Sequence, residues 1–273
     1  VSSNREGNDR EKPKSTSSDF RRKSFVSKRS RPAKIDAKDW VWGPHAVEAA
    51  LNNPARPNPR QILATAERAR DLVAQGRIVT LMKADEISAR LPAGAVHQGI
   101  AIEVDPPESV DLASLCSTPE GIILMLDQVT DPQNVGAIFR SAAAFGVRAI
   151  ILQERNSPPL SGALAKAAAG GLDRVNNCAV TNLSRALETL SDHGWRVIGL
   201  DGSSEVTLEE VKMGQAVVLV LGSEGFGLRR LVSEHCDDLA RIDMPGGFES
   251  LNVSAAAAVA LYASRKSLVR RDA

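Results

Sequence analysis

The chain has 273 residues, 43% hydrophobic and 25% charged, the balance of a water-soluble globular chain with one large or two modest domains. No run of 18 apolar residues occurs, which excludes a membrane-spanning helix, and the polar N-terminus has no signal-peptide core. Cys116, Cys178 and Cys236 are far apart, and the four histidines are scattered, so neither a disulfide framework nor a metal site is expected. A reduced, cytoplasmic setting is expected instead.

The net charge of +1 hides an asymmetry. Residues 1–37 carry eleven lysines and arginines against five acids, a net +6, which leaves −5 on the rest. This stretch is rich in serine and has few large apolar residues, so it reads as a disordered basic tail. Either it is a solubilising extension, or it is an arm that seeks a polyanion such as RNA.

Order is expected from Trp40. A helix follows Gly43-Pro44, with proline in its first turn. Next come a strand at Gln61–Thr65, a helix over 66–75 closed by Gly76, a strand at Ile78–Leu81, a short helix over 84–90 and a strand at Gly99–Val104. This is a small α/β unit over 38–107, followed by a proline-bearing acidic stretch, 108–120, that reads as a linker. From Gly121 to the end at 273, strands and helices alternate. Apolar runs at Ile122–Asp127, Val147–Leu152, Arg196–Leu200 and Ala216–Leu221 fit strands buried on both faces, with further strands near Ala179 and at Leu239–Met244. Helices are expected over Asn134–Phe145 (ended by Gly146), 161–169, 183–193 and 228–236, and from residue 252 on. The repeated β-α-β pattern predicts a mostly parallel sheet covered by helices on both faces.

Three loops follow strands of that sheet, where ligands of open α/β folds bind. The first runs from Asp127 to Gly136 and enters the helix carrying Arg140. Helical side chains tilt toward the N-terminus, so Arg140 is expected to lean over the small residues Gly136 and Ala137 toward the loop. A surface ion pair for Arg140 and a helix cap for Asn134 are the plainer alternatives. The second loop, Leu221-Gly222-Ser223-Glu224-Gly225-Phe226-Gly227-Leu228-Arg229-Arg230, has glycines in the order GxxGxG. That is neither the dinucleotide fingerprint nor a phosphate loop. Its glycines imply close backbone approach or positive φ, whether for a ligand or for a tight turn alone. The third loop runs from Ile242 through Met244, Glu249, Ser250 and Leu251 to Asn252. It leads into an alanine-rich helix that is apolar nearly all round and is therefore expected to be buried. Asn252 and Ser254 fit a polar site at the helix mouth, or simple caps.

These three loops, in this order, resemble the SpoU family of RNA ribose 2′-O-methyltransferases (TrmH-type members of the SPOUT superfamily). The likeness covers residues 121–262 through Asn134…Arg140, Leu221–Gly225 and Glu249–Ser254. Each motif alone is weak; three in register are specific. Residues 40–104 also look like the L30e/L7Ae-type RNA-binding domain that precedes the catalytic domain in the subgroup modifying a guanosine of large-subunit (23S) ribosomal RNA. Asp243 and Phe248 depart from the family pattern, which bears on local loop shape.

The resemblance implies a SPOUT-type sheet with a C-terminal trefoil knot, a homodimer, and S-adenosylmethionine as cofactor. It implies Gly222, Ile242, Leu251, Leu221 and Met244 as cofactor-binding positions. Arg140, Glu224, Ser250 and Asn252 would form the reaction centre with Asn134 in support, and neither a metal nor a membrane is called for. A guanidinium stays protonated at physiological pH and makes a poor general base, so Arg140 is expected to grip RNA phosphate and stabilise the developing alkoxide. Glu224 is then the alternative proton acceptor, with Ser250 and Asn252 orienting the ribose. The alternatives are a tRNA ribose methyltransferase and a non-catalytic RNA-binding or ribosome-assembly protein.

Overall fold

A computed structural model describes residues 40–246 and 250–269 of the chain, with side chains to residue 265. The expected tail over 1–37, together with Phe248 and Glu249 of the third loop, lies outside these residues.

The first sheet has four strands, β1 (Trp40–Trp42), β2 (Gln61–Ala64), β3 (Thr80–Leu81) and β4 (Ile100–Glu103), in the order β1-β4-β2-β3. β4 runs antiparallel to both β1 and β2, whereas β3 runs parallel to β2. Helices α1 (Pro44–Asn52), α2 (Ala66–Ala74) and α3 (Ala84–Ser88) connect them. The third strand is shorter than the sequence suggests. It pairs on one side only, and Ile78 is almost fully exposed, so no burial rewards extending it.

The stretch expected to be a linker is structured. Helix α4 (Leu112–Cys116) is capped by Asp111, whose carboxylate accepts from Ser114 N at 2.7 Å. Leu115 and Cys116 are buried against the second sheet, and Val110 N donates to Asn177 O at 2.9 Å. Its apolar residues tie it to the sheet despite the acidic, proline-bearing start.

The second sheet is six-stranded and wholly parallel. Its strands are β5 (Gly121–Leu126), β6 (Ala149–Gln153), β7 (Asn176–Val180), β8 (Arg196–Leu200), β9 (Ala216–Leu221) and β10 (Asp238–Ala240), in the order β10-β8-β9-β5-β6-β7. Alternation along β5 divides the core. Ile122, Leu124 and Leu126 join one cluster with helix α5 (Pro132–Phe145), helix α6 (Gly162–Ala168) and the C-terminal helix α9 (Val253–Val269). Ile123 and Met125 join the other with α4 and helix α7 (Leu183–Asp192). The stripe Val135, Ile138, Phe139 and Ala142 of α5 is fully buried; large apolar side chains so placed stabilise the fold by about 1.5–3 kcal/mol each.

Three expectations need correction here. Helix α8 spans only Arg230–Ser233, since Leu228 packs against Gly199 before the helix begins. Strand β10 stops at Ala240, and Ile242 to Met244 run on without regular pairing toward Pro245. Within one chain, helix α9 is buried on one side only. Ala257, Ala260 and Leu261 face the core, while Ala255 and Val259 (43% exposed) lie on an open side and Tyr262 (61%) keeps only an edge contact with Phe145 of α5.

Candidate functional site

The loops after β5 and β9 and the approach to α9 meet beyond the carboxyl ends of the central strands. Asp127 ends β5 in a fully buried position, and it binds the second loop directly. Its carboxylate accepts from Arg229 N at 2.9 Å and from Arg229 Nε at 2.7 Å, while Arg229 Nη2 reaches Gln153 Oε1 at 3.3 Å. This pairing fixes two loops relative to each other. Neither residue is among the site positions expected from the sequence. An aspartate closing an otherwise apolar strand was the available signal, since a buried carboxylate needs a partner.

Asn134 does not cap its helix. Asp131 does, accepting from Gln133 N and Asn134 N, each at 3.2 Å. The Asn134 side chain is thereby free to face the other loops, and its Nδ2 donates to Glu224 Oε1 at 3.1 Å. Asn252 Nδ2 donates to the same oxygen at 2.8 Å and to Asn134 Oδ1 at 2.9 Å. Val253 N adds a third donor to Glu224 Oε1 at 3.2 Å. Asn252 is a cap as well as a member of this cluster: its Oδ1 accepts from Ser254 N at 2.9 Å and Ser254 Oγ at 2.6 Å. Three donors from two loops therefore orient a carboxylate carried by the third loop, and all of them sit on one of its oxygens.

The glycines of the second loop do what their order suggests. A side chain on Gly222 would overlap the backbone of Gly227, so the loop folds back on itself with no room to spare. Gly225 and Gly227 take φ values of 84° and 63°, where glycine alone is unstrained.

Two cavities flank the cluster. One, about 360 Å³, is lined by Leu200, Leu221, Gly222, Ser250, Leu251 and Ala256 among others; the second, about 520 Å³, by Thr130, Asp131, Asn134, Asn156 and Phe226 among others. Ser223, Glu224 and Val253 belong to both linings, so Glu224 stands on the shared wall. Of the expected cofactor positions, Leu221, Gly222 and Leu251 line the smaller cavity, whereas Ile242 and Met244 are half-buried outside it.

Arg140 is not brought to this cluster within the chain. Six residues beyond Asn134, it is turned about 240° around the helix and is exposed. Gly136 does not make room for it. A side chain at Gly136 would lie 2.5 Å from Leu164 O and 2.6 Å from Ala167 Cβ, so that glycine serves the close packing of α5 on α6.

A parallel α/β sheet with a carboxylate held between two cavities beyond its strand ends has its candidate ligand site where open α/β folds bind small molecules. Residues 121–262 match the SpoU rRNA Methylase family model, and residues 40–110 match the model for RNA 2'-O ribose methyltransferase substrate binding. A 23S rRNA (guanosine-2'-O-)-methyltransferase RlmB from Pseudomonas aeruginosa is 39% identical over 241 residues, covering 81% of this chain and 94% of that protein. A solved structure described as a putative RNA methyltransferase of the TrmH family from Porphyromonas gingivalis superposes with a TM-score of 0.68 at 28% identity, covering 84% of this chain and 89% of that one. The SpoU methyltransferase AviRb from Streptomyces viridochromogenes, 21% identical, shares the fold with a TM-score of 0.73 over 86% of this chain and 91% of its own. The chain belongs to the SpoU rRNA methylase family.

Proposed function

We propose that this protein transfers a methyl group from S-adenosylmethionine to a ribose 2′-hydroxyl in RNA, at a guanosine of 23S ribosomal RNA. The observation that carries the reading is the position of Glu224 on the wall shared by two cavities, one suited to a methyl donor and the other to the acceptor. The name of the Pseudomonas aeruginosa relative supports the substrate, and the match of residues 40–110 to a substrate-binding model supports RNA recognition by the first sheet and its helices.

The smaller cavity fits the cofactor by its chemistry. Leu200, Leu221, Leu251 and Ala256 offer apolar walls for an adenine, while Ser223, Ser250 and the backbone of the glycine loop offer polar groups. A SpoU relative of the same fold has been solved in complex with AdoMet. When bound, the cofactor supplies a methyl already activated by its sulfonium. The chain's task is then to align the 2′-oxygen and receive its proton. Asn134 and Asn252 hold Glu224 through one oxygen, leaving Oε2 to accept that proton or to orient the hydroxyl. Ser250 and Asn252 orient the ribose, and Arg140 binds a phosphate of the RNA.

The same reading includes a trefoil knot in the C-terminal half, an L30e/L7Ae-type fold for the front unit, and a homodimer that covers the open Ala255 and Val259 side of α9. No helix among the described residues is long and apolar enough to cross a membrane, and a ribosomal RNA substrate supports a cytoplasmic location. The experiment is to map 2′-O-methyl positions in RNA from cells with and without the protein. Loss of one 23S guanosine methylation supports the reading; loss of a tRNA methylation replaces the substrate, and no change overturns it.

A further inference from the structure

Phe226 is the most conspicuous residue near the cluster without a structural task. It is a large aromatic side chain, 91% exposed, in the same turn as Glu224 and two residues beyond it. A single exposed apolar residue is unremarkable in itself. The presentation of this one differs. Ser223 N donates to Gly227 O at 3.2 Å and Gly227 N returns a bond to Ser223 O at 3.0 Å, closing a tight turn with Phe226 near its tip. Gly222 packs against the base of the turn, and Arg229 is locked to buried Asp127 just beyond it. The ring is thus held in water by a rigid frame, at the cost of two left-handed glycines.

A second observation points to the same place. Four described residues other than glycine have positive φ, and two of them, Gln128 (57°) and Asn156 (68°), line the cavity that Phe226 also lines. Such backbone strain persists where the surroundings enforce it, and it collects at ligand sites. The cavity therefore combines the Asn134 and Glu224 side, polar and hydrogen-bonded, with two strained amide residues and one aromatic face. A nucleoside has the matching parts: a ribose for the polar side, and a flat base that any aromatic ring can stack on.

We infer that Phe226 is the stacking platform for a base of the substrate RNA, the nucleobase attached to, or next to, the ribose that is methylated. The inference rests on the proposed reaction at Glu224. Stacking needs no particular base, so Phe226 sets affinity for the RNA, while Gln128 and Asn156 are the groups available to read the base edge.

The test uses the full chain and an RNA fragment that contains the mapped site, with Phe226→Ala and Phe226→Trp. Phe226→Ala is expected to raise KM for RNA roughly tenfold to hundredfold, the usual effect of removing one stacking partner. Its kcat and its calorimetric affinity for S-adenosylmethionine stay near wild type, and Phe226→Trp restores KM. A matched RNA that keeps the ribose but lacks the base should cost the wild type a similar factor and cost Phe226→Ala nothing further. Equal losses from the abasic RNA in both proteins, or an unchanged KM in Phe226→Ala, would overturn the assignment. A shift in sedimentation for Phe226→Ala would overturn it too, by making the ring a subunit contact. A wild type that transfers no methyl to RNA fails at the reaction itself, an outcome separate from these.

Discussion

Arg56 and Asp173, 117 residues apart, form an ion pair at 2.8 Å with side chains only 0% and 3% exposed. Arg56 lies in the loop after α1, where its Nε also donates to Asp105 O at 2.9 Å. Asp173 ends a 3-10 turn, Gly171–Asp173, and also accepts from Asn53 Nδ2 at 3.2 Å. That turn rests on α5: a side chain at Gly171 would lie 2.6 Å from Phe139 O and 2.9 Å from Arg140 Cα. One buried pair thus joins the front sheet's helices to the backbone beneath Arg140.

Breaking this pair should be costly. Asp173→Asn leaves Arg56 charged and buried, and a loss of about 3–5 kcal/mol in unfolding free energy is expected. Replacing both residues together, as Arg56→Met with Asp173→Leu, should recover much of it, because no lone charge is left inside. Urea denaturation of Arg56→Met, Asp173→Leu and the double variant, beside Asp173→Asn, checks this; additive losses from the two singles in the double would contradict it.

Asn252 should show two separable effects. Asn252→Ala removes a cap, worth about 1 kcal/mol, and also the donor to Asn134 and Glu224. Methyl transfer should fall about a hundredfold or more through loss of alignment. Ser254→Ala removes only a partner of Asn252 Oδ1 and should keep most activity. Thermal melts beside turnover rates distinguish the two; equal activity in both variants would reduce Asn252 to a cap.

Much of the sheet can be read from the sequence because β5, β6 and β9 are apolar runs bounded by glycine or polar turns. Asn134, Glu224 and Asn252 stand out as polar residues in loops beyond strand ends, and the fold gathers them. Asp127 stands out as a lone carboxylate after an apolar run, but nothing local names Arg229 as its partner, and Arg56 with Asp173 leaves no local signature; each pair spans more than 100 residues and arises only from tertiary packing. The one-sidedness of α9 is hidden for another reason. Alanine fits a buried or an open face equally well, so composition does not tell Ala255 from Ala257.

Arg140→Lys tests whether geometry or charge matters at that position. Lysine keeps the positive charge but loses the planar two-pronged donor that suits phosphate. Methyl transfer should drop at least tenfold, by the rough worth of one bidentate charged contact, with S-adenosylmethionine affinity unchanged in calorimetry. Near-normal turnover would remove Arg140 from the RNA contact.

Gly222→Ala should disable the cofactor side. Its methyl group has no space against Gly227, so the loop must shift, with an overpacking cost of about 1–3 kcal/mol. Calorimetry should register loss of S-adenosylmethionine binding while circular dichroism remains close to wild type. Full affinity in this variant would separate the tight loop from cofactor binding.

The central claim is that a ribose oxygen receives the methyl group. Its most direct test is methyl transfer by the purified protein to two RNA fragments, identical except that one has a 2′-deoxy sugar at the mapped guanosine. Labelled methyl should enter the all-ribose fragment and be absent from the deoxy one, with the product resistant to alkaline cleavage at that position. Equal labelling of both fragments would place the methyl on the base, and no labelling of either would contradict the account.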